Sequence, residues 1–217
     1  LVWVKETRHF DTVTKSAFTG LPKRIKLGVI AISHPVLWRI MVAGLLTIPL
    51  ASAIEKFWQV EFNALSLDNT EAWVYGIVFA VTLFFGSLAA SLTTWLCHQF
   101  NQQMGKVLFI GLICQLISVV ALTLSDTINL FVISFIAFDF SLELGASARN
   151  HLISHATHDS VRSTVDSITS FTARVGGIFG TLLCAMGASY LGLTNTWLVG
   201  AAIAALAGII YMSRTLN

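Results

Sequence analysis

Six long apolar stretches dominate the sequence and constrain the fold more than any other feature. A bilayer core is about 30 Å thick, so a helix that crosses it needs roughly 20 mostly apolar residues. None of the six stretches alternates apolar and polar residues as the strands of a membrane barrel do. Because only helices satisfy their own backbone hydrogen bonds in lipid, we predict an all-α integral membrane protein. The predicted spans are 36–56, 73–96, 107–124, 128–148, 164–190 and 193–212.

The composition agrees with a membrane protein and argues against several other classes. Hydrophobic residues make up 55% of the chain and charged residues 11%, less than half of the roughly 25% found in soluble domains. The formal net charge of +2 gives no support for a nucleic-acid partner. Cys97, Cys114 and Cys184 are far apart and show no metal-ligand spacing. We therefore expect a lipid bilayer as surroundings and no cofactor.

The basic residues indicate how the chain lies in the membrane. With the predicted spans, 11 of the 13 Lys and Arg residues fall on one side of the bilayer, together with both chain ends. Lys56 alone lies on the opposite side, among acidic residues. Loops rich in Lys and Arg remain in the cytoplasm, so we expect both ends there, in the plasma or inner membrane.

The spans also group as three plus three. The second span of each trio is rich in small residues, as in "GSLAAS" at 86–91 and "GTLLCA" at 180–185. A unit of three helices has an odd number of crossings, so a second copy enters from the other side. Two such inverted repeats are typical of secondary transporters.

One arginine lies inside an apolar span. Arg174 follows Arg162 by twelve residues, which is about 18 Å along a helix. That depth is close to the bilayer midplane, where a charge needs a partner or a wet cavity. Ser167, Ser170 and Arg174 share one polar stripe at helical spacing, beside a stripe of small residues. We therefore expect Arg174 to face the protein interior.

The preceding span offers the acidic partners. Asp139 and Glu143 lie one turn apart in "AFDFSLELGA", with Asp139 also near the midplane. We predict that Asp139 pairs with Arg174 and that Glu143 is the second choice. One arginine cannot neutralise both acids, and burial in hydrocarbon favours the protonated form of a carboxyl group. The surplus acid is then a proton carrier, or the pair is merely structural and Glu143 reaches cytoplasmic water.

Several segments resemble the major facilitator superfamily of transporters. "RSTVDSITSFTAR" is similar to the opening of that superfamily's eleventh helix, and "GSLAASLTTWLCHQFNQQMGK" to the loop between its helices eight and nine. The latter lacks the aspartate and arginine usual in that loop. "IEKFWQVEF" resembles the outer end of helix seven in members that resemble drug-efflux proteins, and "VKETRHF" the exit from helix six. The order of these segments carries the resemblance over nearly the whole chain.

The resemblance implies the C-terminal half of a twelve-helix permease. Residues 1–34 would be the end of an earlier helix and a basic cytoplasmic linker, and 35–217 the six-helix domain. We thus expect a fragment whose partners are the missing N-terminal half, a small organic substrate and H⁺, and alternating access as the mechanism. The residues implied near the substrate path or in gating are Glu55, Trp58, Gln59, Pro49, Gly105, Lys106 and Arg162.

Other interpretations remain open from the sequence. Ser87 and Ser91 lie on one helical stripe that lines the path or bonds its own backbone. His151, His155 and His158 have metal-ligand spacing, but we favour a short solvated helix in a cytoplasmic loop. The alternatives to a transporter are a membrane sensor or assembly module without transport, and a membrane enzyme. We expect no enzyme, because no histidine lies within a span beside a nucleophile.

Overall fold

The computed structural model describes residues 34–66, 71–100, 103–157 and 161–213. The predicted linker over residues 1–34 lies outside this description except for His34. The helices are α1 (Pro35–Leu65), α2 (Ala72–Gln99), α3 (Met104–Thr123), α4 (Ile128–Ala156), α5 (Arg162–Leu191), α6 (Leu193–Ala205) and α7 (Ala207–Tyr211). The last two form one span, Leu193–Tyr211, that is interrupted at Leu206.

The described part of the chain therefore contains six helices long and apolar enough to cross a membrane, as predicted. Local sequence explains where several of them begin and end. Pro35 opens α1, where its missing N–H costs no helical hydrogen bond. Thr127 caps α4 by accepting a hydrogen bond from the backbone N–H of Leu130 at 3.4 Å. Gly192, with φ of 81°, ends α5 in a conformation that other residues avoid.

Two central helices organise the packing. α1 packs against α4, α5 and the sixth span, whereas α4 packs against α1, α2 and α3. α3 also contacts the sixth span. The buried apolar side chains form two clusters, one around Leu37, Val107 and Ala148 and the other around Trp58, Phe131 and Trp197. α1 and α4 therefore contact each other and, between them, all the other spans, so they set the positions of those helices.

The structure corrects three boundaries. α1 runs on to Leu65, nine residues past the predicted end at 56. Gly105 and Lys106 lie in the first turn of α3 and not in the preceding loop, because the helix begins at Met104. α4 runs on to Ala156, so His151 and His155 belong to its last turns and not to a separate helix, and their ring centroids are 4.4 Å apart. His158 lies outside the described residues. Within the residues that the structure covers, no group of three His, Cys, Asp or Glu side chains is placed to hold a metal ion.

Candidate functional site

A cavity of about 490 Å³ lies between α1, α2 and α4, and three carboxylates line it. Glu55 comes from α1, and Asp139 and Glu143 come from successive turns of α4. Asp139 is eleven residues into α4, about 17 Å along its axis. The acids thus lie well inside segments long enough to span a bilayer. Acidic side chains at such depth are costly unless they meet water, a cation or a proton.

Gly86 brings α2 close to these carboxylates. A Cβ atom at this position would lie 3.1 Å from Cγ of Glu143 and 3.7 Å from Oδ2 of Asp139. Glycine leaves that space free, so the α2 backbone passes directly beside the acids of α4. The small residues that the sequence shows in "GSLAAS" therefore serve a close approach to a charged site as well as helix packing.

The charges in this cavity are unbalanced. Glu55, Asp139 and Glu143 are near enough to repel one another. Lys56 is the cation that lines the cavity with them. One ammonium group cannot neutralise three carboxylates, so the cavity attracts protons or a cationic group.

An aromatic wall forms the apolar part of the cavity. Trp58 is only 3% exposed and stacks on Phe135, with ring centroids 4.7 Å apart and planes 24° apart. Phe79 adds a third ring to the lining. The resemblance placed Trp58 beside the substrate path, and the structure makes it a core residue whose edge reaches the cavity. Rings next to carboxylates offer both an apolar surface and a face for a cation.

The predicted polar residues of α1 and α2 are only partly in this cavity. Ser87 lines it, and its hydroxyl donates to the Phe84 carbonyl at 2.7 Å. Ser91 donates in the same way to the Ser87 carbonyl at 3.2 Å. Both hydroxyls therefore bond carbonyls of their own helix, and the role of Ser87 and Ser91 in a substrate path stays a prediction. Gln59 is exposed and lies outside the lining.

Arg174 lies in a different place from the one predicted. It lines a shallow depression of about 690 Å³ between α1 and α5, together with Ser52 and Lys56. The extensive contacts of α5 are with α1 and the sixth span, not with α4. The structure therefore does not bring Arg174 together with Asp139 or Glu143. Lys56, which was not among the predicted site residues, lines both the acid-lined cavity and this depression, on either side of α1.

Pro49 lies where α5 crosses α1. It is inside α1, where its ring leaves one carbonyl of the preceding turn without its helical partner. Gly180 of α5 faces it so closely that a Cβ there would be 2.3 Å from the Pro49 carbonyl oxygen. The predicted gating role of Pro49 stays a prediction, and its location is a tight contact between two helices.

The remaining predicted residues lie near the helix ends that we assign to the cytoplasmic side or on the polar face of α5. Arg162 opens α5, and its guanidinium donates to the Ser154 carbonyl at 3.4 Å. Ser167 donates to the Ser163 carbonyl at 2.8 Å, whereas Ser170 lines a separate cavity between α1, α4 and α5. Lys106 is exposed at the start of α3.

Sequence reasoning missed Lys56, Gly86 and Thr82 as members of the acid-lined cavity. Lys56 follows Glu55 directly, and Gly86 opens the small-residue run of α2, so both were visible as unusual residues. Their neighbours in space were not visible, because helix adjacency does not follow from one sequence. Comparison of this chain with known protein families, with curated proteins and with solved structures finds no match.

Proposed function

We propose that this chain is the C-terminal half of a secondary transporter of the major facilitator type, which moves a small organic solute in exchange for, or together with, protons. The acid-lined cavity between α1, α2 and α4 carries the proposal. It combines three carboxylates, one lysine and three aromatic rings within membrane-spanning helices. Charged side chains in such segments are rare, and by default they indicate an ion or substrate pathway.

The pattern of helix packing supports the inverted repeat that this class would require. Exchanging α1 with α4, α2 with α5, and α3 with the sixth span leaves the set of extensive helix contacts unchanged. For example, α1 packs on α5 and the sixth span, and α4 correspondingly packs on α2 and α3. Two units of three helices related in this way have opposite directions in the membrane.

In the proposed mechanism, Asp139 and Glu143 hold the transported proton. Together with Glu55 they place three carboxylates beside one lysine in a single cavity. A solute that enters the cavity competes with the proton for the carboxylates, and this competition couples the two movements. Arg174 supplies positive charge on the other side of α1. The protein would reside in the cell membrane with both ends of this chain in the cytoplasm, as the basic residues indicate.

The test is proton-coupled flux in proteoliposomes that contain the full-length protein and a trapped pH-sensitive dye. Cationic, zwitterionic and anionic organic solutes are added one at a time, and solute-dependent proton movement is recorded. We expect Asp139→Asn and Glu143→Gln each to lower coupled flux by at least tenfold, since each removes a group that binds the proton. Arg174→Ala should lower solute flux without removing proton binding.

Glu61→Gln is the matched control, because Glu61 is a carboxylate of the same helix as Glu55 but lies outside the cavity lining. It should behave as wild type. Full coupled flux in both Asp139→Asn and Glu143→Gln would remove the mechanism. Absence of flux with every solute in the wild-type protein would favour a sensor or assembly module.

A further inference from the structure

A second polar cavity lies away from the acids, between α1, α4 and α5. Its volume is about 120 Å³, enough for roughly four water molecules at about 30 Å³ each. Its polar side chains are Arg149 and Asn150 of α4 and Thr169, Ser170 and Thr172 of α5. Residues of α1, including Ile40 and Gly44, form its apolar floor. It contains none of the carboxylates of the proposed transport site.

Arg149 in this cavity has no counter-charge among the described residues. Its half-buried side chain also borders a smaller cavity of about 30 Å³ beside Gln115 and Tyr211. Neither lining contains an aspartate or a glutamate. Asp166, one turn from Ser170 on α5, is exposed and outside both linings. In the part of the chain that the structure covers, Arg149 makes no hydrogen bond or ion pair. A half-buried guanidinium in a membrane helix calls for an anion.

Only two of the four neighbouring polar groups are free to donate as well. The hydroxyls of Thr169 and Thr172 donate to carbonyls of their own helix at 3.0 and 2.9 Å, so they have no proton left for a ligand. Ser170 forms no such bond, and the Asn150 amide has no partner among the described residues. Three donor groups without a partner among the described residues therefore border one cavity. They are the half-buried guanidinium of Arg149, the amide of the exposed Asn150 and the hydroxyl of the exposed Ser170.

We propose that this cavity binds a phosphate group. The planar guanidinium fork matches two phosphate oxygens, and the tetrahedral group keeps further oxygens for Asn150 and Ser170. A carboxylate also matches the guanidinium fork, but its two oxygens lie in one plane and reach donors on a second helix less well than the oxygens of a tetrahedral group. Arg149 lies seven residues before the end of α4, on the side that the basic residues assign to the cytoplasm. The phosphate can come from free cytoplasmic phosphate or from an anionic lipid headgroup.

The experiment measures binding and thermal stability of the purified full-length protein. In detergent, inorganic phosphate is titrated at constant ionic strength, with acetate and chloride as competing anions. In nanodiscs, phosphatidylglycerol is compared with a neutral, phosphate-free glycolipid of the same acyl chains. A free-phosphate site predicts saturable binding in detergent, and a lipid site predicts stabilisation by phosphatidylglycerol alone. Either result supports the proposal.

Variants assign the effect to Arg149. We expect Arg149→Gln to weaken phosphate or phosphatidylglycerol binding at least about tenfold and Ser170→Ala to weaken it severalfold. Arg39→Gln is the control, because Arg39 lies on α1 toward the same side but outside this cavity. If Arg149→Gln does not fold, Arg149→Lys keeps the charge without the fork and should still bind more weakly. Equal responses of wild type, Arg149→Lys and Ser170→Ala, or an equal loss in Arg39→Gln, would overturn the proposal. Transport activity plays no part in the readout, so failure here leaves the proposed function untouched.

Discussion

The contact between Gly180 of α5 and Pro49 of α1 gives the sharpest test of the packing. A Cβ atom at Gly180 would lie 2.3 Å from the Pro49 carbonyl oxygen, 2.4 Å from its Cα and 2.7 Å from its carbonyl carbon. All three are backbone atoms, and they cannot rotate away as the end of a side chain can. Gly180→Ala therefore forces the two helices apart.

The required movement sets the magnitude. Ordinary van der Waals contact begins near 3.4 Å, so the helices must separate by about 1 Å at this point. Gaps of this size forfeit a quarter to a half of each dispersion contact nearby. The packing of Gly176 beside Ile48, where an added Cβ would lie 3.5 Å from Ile48 Cγ2, would loosen with it. Overpacking of this kind typically costs about 1–3 kcal/mol, and we expect Gly180→Ala to lower the free energy of unfolding by that amount.

Gly145→Ala is the matched control. Gly145 also lies within a helix, but a Cβ there would meet nothing within 4 Å. Alanine has the higher helix propensity, by about 1 kcal/mol, so Gly145→Ala should leave stability unchanged or raise it slightly. The assay is unfolding of the purified protein in mixed micelles, with increasing sodium dodecyl sulfate and tryptophan fluorescence as the readout. If Gly180→Ala proved as stable as Gly145→Ala, the close crossing of α1 and α5 would be wrong.

Two further predictions concern orientation and a buried amide. In a variant without the native cysteines, Asp126→Cys, between α3 and α4, should react with a membrane-impermeant maleimide added outside intact cells, and Lys106→Cys should not. The reason is that we expect the side rich in Lys and Arg to face the cytoplasm, and the reverse labelling would contradict this orientation. Gln115 is 5% exposed and its amide nitrogen has no partner among the described residues, so Gln115→Met should raise the free energy of unfolding by about 1 kcal/mol in the same micelle assay. A loss of stability would show that the amide is bonded.

The helices could be predicted because their signal is local. A run of about 20 apolar residues indicates a span regardless of what surrounds it, so all six spans were found, four of them to within about three residues at both ends. The errors at helix ends have a local cause too. α4 continues eight residues past the predicted end at 148, because "NHLISHA" is polar enough to leave the membrane yet still forms a helix. Hydropathy marks where lipid ends, whereas hydrogen bonding decides where the helix ends.

The site was only half predictable, since its residues belong to different helices. Asp139 and Glu143 were found because ionised groups are rare in apolar spans, and the structure places both in one cavity. Gly86 was missed as a site residue because its importance is the absence of a side chain beside Glu143. Nothing in the local sequence of α2 indicates that α4 lies against it.

The location of Arg174 shows the difference between depth and adjacency. The rise per residue of a helix places Arg174 and Asp139 at similar depth in the membrane, but it does not say which helices lie side by side. Packing decides which helices are neighbours, and here α1 packs against both α4 and α5. Glu55 of α1 lines the acid-lined cavity, and Ser52 of α1 lines the depression beside Arg174. Lys56 borders both. A solute that moved from the acid-lined cavity to this depression would leave three carboxylates for one arginine and would stay beside Lys56 throughout. The charge on Lys56 is therefore the point at which the two sides of α1 can influence each other.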